Sequence, residues 1–410
     1  MTIAAPKQDR FTSIDTLRGF AVLGILMMNV QLFAMHDLAY QYPPAHMDLT
    51  GDNLLVRFIQ HVFFEVKFMT IFSALFGAGM LLMLGDGGPD RIALHRRRML
   101  WLLIIGLIHG YVFWMGDILA FYAIGGFLIV FARNWAVGKL VVIGGLLVAA
   151  TGLLTTGLFA SFNLIPGELD PTEIGMAPTA EDLQSQIALY QSGFVERMPY
   201  NAMHTLFGQI GGLLIFGGRI FGNMLLGMAL FRIGFFTLKW SMAQYFLAAL
   251  VTLGVGLPAS WIGGSMAVNS EYALEQTWLF FSINYGSSLI VAFGYAAVVM
   301  LLSKIGVFKL VLYPFTAAGR MAFTNYLSQT LIMTYLFVGP PGLGWFGTME
   351  RVEQAQLVIM VWIGQLIFSV FWLSVFRFGP FEWLWRSLTY GKQQPIFKTR
   401  SSEPTTPSAT

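Results

Sequence analysis

Apolar runs long enough to cross a bilayer constrain what this chain can become more than any other feature. A membrane-spanning helix needs roughly 20 predominantly apolar residues to cover about 30 Å of hydrocarbon. Ten such segments are read, at about 14–35, 56–84, 98–115, 117–132, 139–162, 203–230, 241–262, 276–303, 316–338 and 355–377. Only 11% of the residues are charged, against about 25% in soluble domains. The stretches between the runs therefore cannot clothe a set of soluble domains. The expected fold is all-α, a polytopic transmembrane helix bundle of about ten spans. A soluble enzyme, a disordered protein and a disulfide-stapled module are excluded. The chain has no cysteine, which also excludes thiolate metal sites, iron–sulfur centres and a thioester on the protein. No A-x-A site closes the first run, so it reads as an uncleaved span.

The charges that do occur are sorted by side. Seventeen basic residues lie in the terminal segments and even-numbered loops, whereas the odd loops hold only Arg57, Arg197 and Arg351. By the positive-inside rule both termini are cytoplasmic. Thirteen of the 21 acidic residues fall in the odd loops, in agreement with that orientation. The net charge of +3 follows from this distribution, so it does not point to a nucleic-acid partner. The expected organisation is a cytoplasmic N-terminal segment 1–13, a ten-span domain 14–378 with an outer loop 163–202, an interfacial C-terminal helix within 379–397 and a disordered Ser-, Thr- and Pro-rich tail 398–410. Trp383 and Trp385 beside Arg386 suit a helix lying among headgroups. Within the outer loop, Glu181–Arg197 reads as a short surface helix.

Ionisable residues inside spans are costly, so each is a functional candidate. They are Asp15, Arg18, Glu65, Lys67, His109, Asp117, Arg219 and Arg320. Asp15 and Arg18 are three apart and share a helix face, which allows either a local ion pair or an oxyanion site built on the guanidinium. Arg320 starts the ninth span at a similar depth, and Asn325 and Gln329 share a face beyond it. His109 falls near mid-membrane, eleven residues past Arg98, or about 16 Å of helix. A satisfied structural imidazole and a general base are both open to it. Asp117, eight residues on, reaches it only through the bundle. His61 and Glu65, spaced i,i+4, read as an intrahelical hydrogen bond rather than a metal pair, and no metal is expected. His36 and His46 lie in an outer loop, where they can meet a substrate from that side. His95 belongs to a basic cluster whose default contact is lipid headgroups.

The sixth span, GQIGGLLIFGGRIFGNMLLG, has seven glycines between Gly208 and Gly227. Small residues at such spacing let helices approach closely. A groove for an acyl or pantetheine chain beside Arg219, or a homodimer contact, are the alternatives. GLGWFG at Gly342–Gly347 follows Pro340-Pro341 in a loop with no strand before it, and is not a dinucleotide site.

Several blocks carry a resemblance: RFTSIDTLRGFAVLGILMMNV near the start, KFMTIFSALFGAGM at Lys67–Met80, GLIHGYVFWMGDIL at Gly106–Leu119, GRMAFTNYLSQT at Gly319–Thr330 and FGPFEWLWRSLTYG at the end. They resemble the YeiB-like family of bacterial membrane proteins, known as domain of unknown function 418. The resemblance implies a bacterial cytoplasmic (inner) membrane location. The D-x-L-R-G start at Asp15, Leu17, Arg18 and Gly19 is more distantly similar to integral-membrane acyltransferases such as heparan glucosaminide acetyltransferase. That likeness implies an acyl group taken from cytoplasmic acyl-CoA and delivered to an extracytoplasmic glycan or lipid-borne acceptor. Those enzymes have a catalytic His in the outer loop after the first span. Here only His36 and His46 occupy that region, neither in a matching context, and His109 is the preferred substitute.

The resulting expectation is an acyltransferase with His109 and Asp117 catalytic. Its substrate-binding set is Asp15, Arg18, Lys67, Arg219, Arg320, Asn325 and Gln329, with acyl-CoA as donor and membrane lipids as surroundings. The alternatives are a transporter or flippase for an anionic lipid or metabolite, whose four embedded cations neutralise the cargo, or a lipid-binding protein without turnover.

Overall fold

α1 (Thr12–Ala34) runs through the middle of the molecule, with 72% of its apolar window buried, whereas only 22–28% is buried in the windows of the most peripheral helices. The computed structural model describes residues 11–85, 87–167 and 169–398. The expected N-terminal segment, apart from its last residues, and the tail beyond Lys398 lie outside the described residues. After α1 come α2 (Gly51–Ile59), α3 (Lys67–Leu84), α4 (Pro89–Ile108), α5 (Leu119–Ile129), α6 (Val137–Ala160) and α7 (Ala180–Ser192). They are followed by α8 (Phe194–Arg232), α9 (Met242–Asn269), α10 (Thr277–Lys304), α11 (Lys309–Arg320), α12 (Ala322–Phe337), α13 (Arg351–Val375) and α14 (Pro380–Tyr390). Among the described residues there is no strand, only an isolated bridge between Phe376 and Phe397. The chain is an all-α polytopic membrane bundle.

Seven helical stretches are long and apolar enough to cross a membrane: Thr12–Ala34, Gly51–Leu84, Val137–Leu164, Phe194–Arg232, Met242–Asn269, Leu274–Lys304 and Arg351–Val375. The other three expected segments are shortened or interrupted. α4 carries Arg91 and Arg96 to Arg98 on its first half, and Leu119–Ala132 is short. The segment 316–338 breaks at Met321 into α11 and α12. α7 and the start of α8 occupy part of the stretch read from sequence as an outer loop. α8, at 39 residues, is about 58 Å long and so projects beyond the hydrocarbon. α7 is started by a capping box between Thr179 and Asp182.

Three helix crossings depend on glycine. A Cβ on Gly19 would collide with the Phe315 carbonyl, and one on Gly319 with the Asp15 carbonyl, so α1 and α11 touch backbone to backbone. A Cβ on Gly77 would strike the Met224 carbonyl and one on Gly227 the Ala74 carbonyl, which locks α3 against α8. Gly218 and Gly222 face Thr151 and Gly144 of α6. Gly218, Gly222 and Gly227 of α8 thus form a close-packing surface within one chain, whereas Gly208 and Gly211 face open space. Gly19→Ala or Gly319→Ala should destabilise by about 1–3 kcal/mol through overpacking. Gly145→Ala, with open space at its Cβ position, should be neutral or stabilising by up to about 1 kcal/mol. Thermal unfolding in detergent compares the three.

Candidate active site

The α1–α11 crossing places Arg18 and Arg320, each next to a contact glycine, at the mouth of one cavity of about 460 Å³. Arg91 and Arg98 of α4 and Arg386 of α14 bring the guanidiniums among the described lining residues to five, with Glu382 the carboxylate among them. The cavity lies at the basic end of the bundle. α14 closes it from outside: Trp385 Nε1 donates to the Arg98 carbonyl at 3.0 Å, and the Arg98 guanidinium lies 4.2 Å from the Trp385 ring centre. Arg18 keeps its local pairing with Asp15 at 3.0 Å. Glu382 accepts from the amides of Phe323 and Thr324, at 2.7 and 3.1 Å, and from the Thr324 hydroxyl. It therefore fastens α14 to the N-terminus of α12, where a carboxylate suits the helix dipole. Burial raises the Glu382 carboxyl above its ordinary range. Deeper in, the walls are apolar, formed by Ile25, Phe72, Phe76, Leu102 and Leu119, and the cavity reaches Ile118 and Tyr326.

His109 sits one ring beyond that inner end, its centroid 5.3 Å from that of Tyr326. On a straight helix Asp117 would lie about 12 Å along the axis. α4 instead gives way at His109 to a π turn over His109–Phe113, then folds back over Met115 and Gly116. Asp117 Oδ1 consequently meets His109 Nδ1 directly at 2.7 Å, which corrects the indirect relation expected from spacing. Its other oxygen accepts from the Ala120 amide at 2.9 Å. The freed π-turn carbonyls are taken by α8. Asn201 donates to Gly110 and Tyr111, Thr205 to Gly110 and Arg197 to Phe113.

Thr330 completes the constellation, its hydroxyl 2.9 Å from His109 Nε2. Thr16, Thr70, Thr151, Thr155, Thr252 and Thr389 all return their hydroxyls to the carbonyl four residues back. Thr330 gives its hydroxyl to the imidazole. With Asp117 as acceptor, Nδ1 carries the proton and Nε2 presents a lone pair. That is the tautomer of a general base held by a carboxylate.

A family model described as protein of unknown function (DUF418) matches residues 230–392, which include Arg320, Thr330 and all of α14. The uncharacterized protein YeiB of Escherichia coli K12 is 31% identical over 403 residues, covering 96% of this chain and 100% of its own length. The uncharacterized protein YxaH of Bacillus subtilis 168 is 30% identical, covering 95% of this chain and 96% of its own. The chain belongs to the YeiB-like DUF418 family.

In this family member the remaining predicted residues lie elsewhere. Lys67 is fully buried and donates to the His61 carbonyl, to Ser260 at 3.0 Å and to Asn284 at 2.8 Å. Arg219 donates to the Tyr285 carbonyl, Thr70 and Ser288, with its guanidinium 4.1 Å from the Tyr285 ring centre. Asn325 and Gln329 do not line the cavity. Asn325 ties the α11 carbonyl of Ala318 to Ser369, and Gln329 joins Val22 to Gln365. His61 bonds Glu65 at 3.0 Å, as its spacing suggests, and Arg57 adds two bonds to the same carboxylate. His95 departs from the headgroup contact expected of it. It is 1% exposed, bonds the Gly126 carbonyl and lines the cavity, because α5 packs over that face of α4. Among the described residues no three His, Asp or Glu side chains are grouped to hold a metal ion.

The candidate residues missed in the sequence are Arg91, Arg98, Trp385 and Arg386, which line the cavity but looked like orientation charges and an interfacial anchor, and Thr330, which meets His109. Asp117→Ala leaves two donors without their acceptor and should cost about 2–5 kcal/mol, whereas Thr330→Val should cost about 1 kcal/mol. Thermal unfolding of the two variants side by side checks the difference.

Proposed function

We propose that this protein is a membrane-embedded acyltransferase that draws an acyl group from cytoplasmic acyl-CoA and passes it to an acceptor on the other side. We also read the bundle as ten spans with both termini in the cytoplasm of a bacterial inner membrane, so that the arginine cavity opens to the cytoplasm. The observation that carries the reading is a cavity that begins among five guanidiniums and ends at Tyr326, whose ring centre lies 5.3 Å from that of His109, the partner of Asp117. Guanidinium forks match phosphate oxygens, and several are needed for a multiply charged nucleotide donor. The apolar inner walls suit the arm and acyl chain that follow, and about 460 Å³ lies within the usual range of cofactor sites.

The chemistry follows from the tautomer. The acceptor's hydroxyl or amine displaces Thr330 from His109 Nε2, loses its proton there and attacks the thioester carbonyl. The C–S bond breaks, and His109 returns the proton to the leaving thiolate. Asp117 stabilises the imidazolium between these events. Thr330, which meets the imidazole in the resting arrangement, holds Nε2 aimed at the acceptor position.

Labelled acetyl-CoA added to membranes containing the protein should give transfer or slow hydrolysis. His109→Ala should lower kcat by about 10²–10⁴-fold. Arg18→Ala and Arg98→Ala should each raise KM about tenfold or more with a smaller effect on kcat. No binding and no transfer would overturn the reading. So would counterflow of a labelled anion in proteoliposomes without covalent transfer, which is the behaviour of a transporter.

A further inference from the structure

At one corner of the basic end of the bundle, α8 stops at Arg232, α9 starts at Met242 and α10 stops at Lys304. Lys304 fastens the corner, donating to the Leu238 carbonyl at 3.2 Å and to the Trp240 carbonyl. From there a short turn over Gly306–Phe308 leads into α11. The level at which α11 starts is fixed by α1. Thr16 Oγ1 lies 2.7 Å from Thr316 Oγ1, and Gly19 and Gly319 meet backbone to backbone. The two helices therefore run in the same direction and in step. Lys309 to Tyr313 then stand level with the first turn of α1, which starts at Thr12. That is the membrane boundary, not the hydrocarbon interior.

The corner is apolar where a boundary facing only water would be polar. Val307, Leu310 and Val311, spaced i, i+3 and i+4, are 78%, 82% and 64% exposed, whereas Leu312 and Ala317 of the same helix are buried. Beside them Met242, Phe246 and Leu250 share a face of α9 and are about half exposed, so the apolar surface continues into the lipid-facing side of a span. The charges are of one sign. Arg232, Lys239, Lys304 and Lys309 lie in the two loops, and the sequence has no Asp or Glu between Glu196 and Glu271 or between Glu275 and Glu350. Arg232 and Lys304 are spent on loop carbonyls. Lys239 and Lys309 are exposed, and among the described residues their ammonium groups have no hydrogen-bond or ion-pair partner.

We propose that this corner, formed by 233–241 and 305–313, binds an anionic phospholipid of the surrounding leaflet. The phosphate meets Lys239 and Lys309, and the acyl chains lie along Val307, Leu310, Val311 and the exposed face of α9. Free ammoniums next to an apolar face at headgroup level match that amphiphile at both ends. A soluble polyanion would use the lysines and leave the apolar face in water. None of the described residues lining the arginine cavity comes from these two stretches, so the site stands whatever reaction occurs there.

The chain has no cysteine, so Leu310→Cys offers a single labelling site in the full protein. A bimane fluorophore there, in phosphatidylcholine nanodiscs, should be shielded from aqueous iodide. Spin-labelled phosphatidylglycerol should quench it at about twentyfold lower content than spin-labelled phosphatidylcholine. Lys239→Gln and Lys309→Gln, both at exposed positions, should each lower that preference about fivefold. Val307→Ser with Val311→Ser should loosen both lipids alike and leave the preference intact. Inorganic phosphate at matched ionic strength should not relieve the quenching. Equal quenching by the two lipids, a preference unmoved by the lysine variants, or free access of iodide overturns the proposal. So does relief of quenching by phosphate, by an acidic peptide or by an oligonucleotide, which would assign the lysines to a soluble anion.

Discussion

Inside a bilayer no water is at hand to satisfy a broken helix, so every interruption must be stitched by the protein itself. Three interruptions organise this bundle. The first is the π turn over Gln60–Phe64 that leads into Val66, which has φ of 66°. Lys67 caps its His61 carbonyl and Ser260 its Val62 carbonyl. The second is the π turn at His109, sewn up by Arg197, Asn201 and Thr205. The third is the break at Met321, where Glu382 takes amides from the start of α12 and Asn325 reaches back to the α11 carbonyl of Ala318. Each repair uses buried polar side chains whose cost would otherwise be unexplained.

This division of labour separates the embedded cations into two kinds. Lys67 and Arg219 are fully buried and are held by carbonyls, hydroxyls and an amide oxygen, with Tyr285 stacked on Arg219. Such groups hold backbone and neighbouring helices, and a ligand would have to displace every one of those bonds. Arg18 and Arg320 stand at a cavity wall, in company with three further guanidiniums and Glu382 among the described lining residues. These guanidiniums lie beside an apolar wall fit for a chain.

Much of the frame was legible in the sequence because hydropathy reads membrane helices directly. The His109–Asp117 pair was legible as residue types: a mid-membrane His and a carboxylate near it are rare enough to stand out. Their direct bond was not, because nothing in GLIHGYVFWMGDIL announces that the helix will widen at His109 and turn back at Gly116. Arg98 and Arg386 were hidden by a different effect. Arginines at membrane boundaries are expected for orientation alone, so a boundary arginine facing a cavity looks the same in sequence as one facing headgroups. Asn325 and Gln329 erred the other way, since a shared polar face suits a helix–helix network as well as a cavity.

α12 ties these parts into one device. Its first turn is gripped by Glu382 of α14, Tyr326 forms the cavity's inner wall, and Thr330 touches His109. From Ala322, at the cavity beside Arg320, to Thr330 is eight residues, or about 12 Å of helix. A rigid rod therefore sets the spacing between the guanidiniums and the imidazole. A donor whose anionic and reactive ends are separated by an extended arm fits that spacing, whereas a compact anion would fill only the mouth. The Phe33–Trp114 stack meanwhile seals the opposite side.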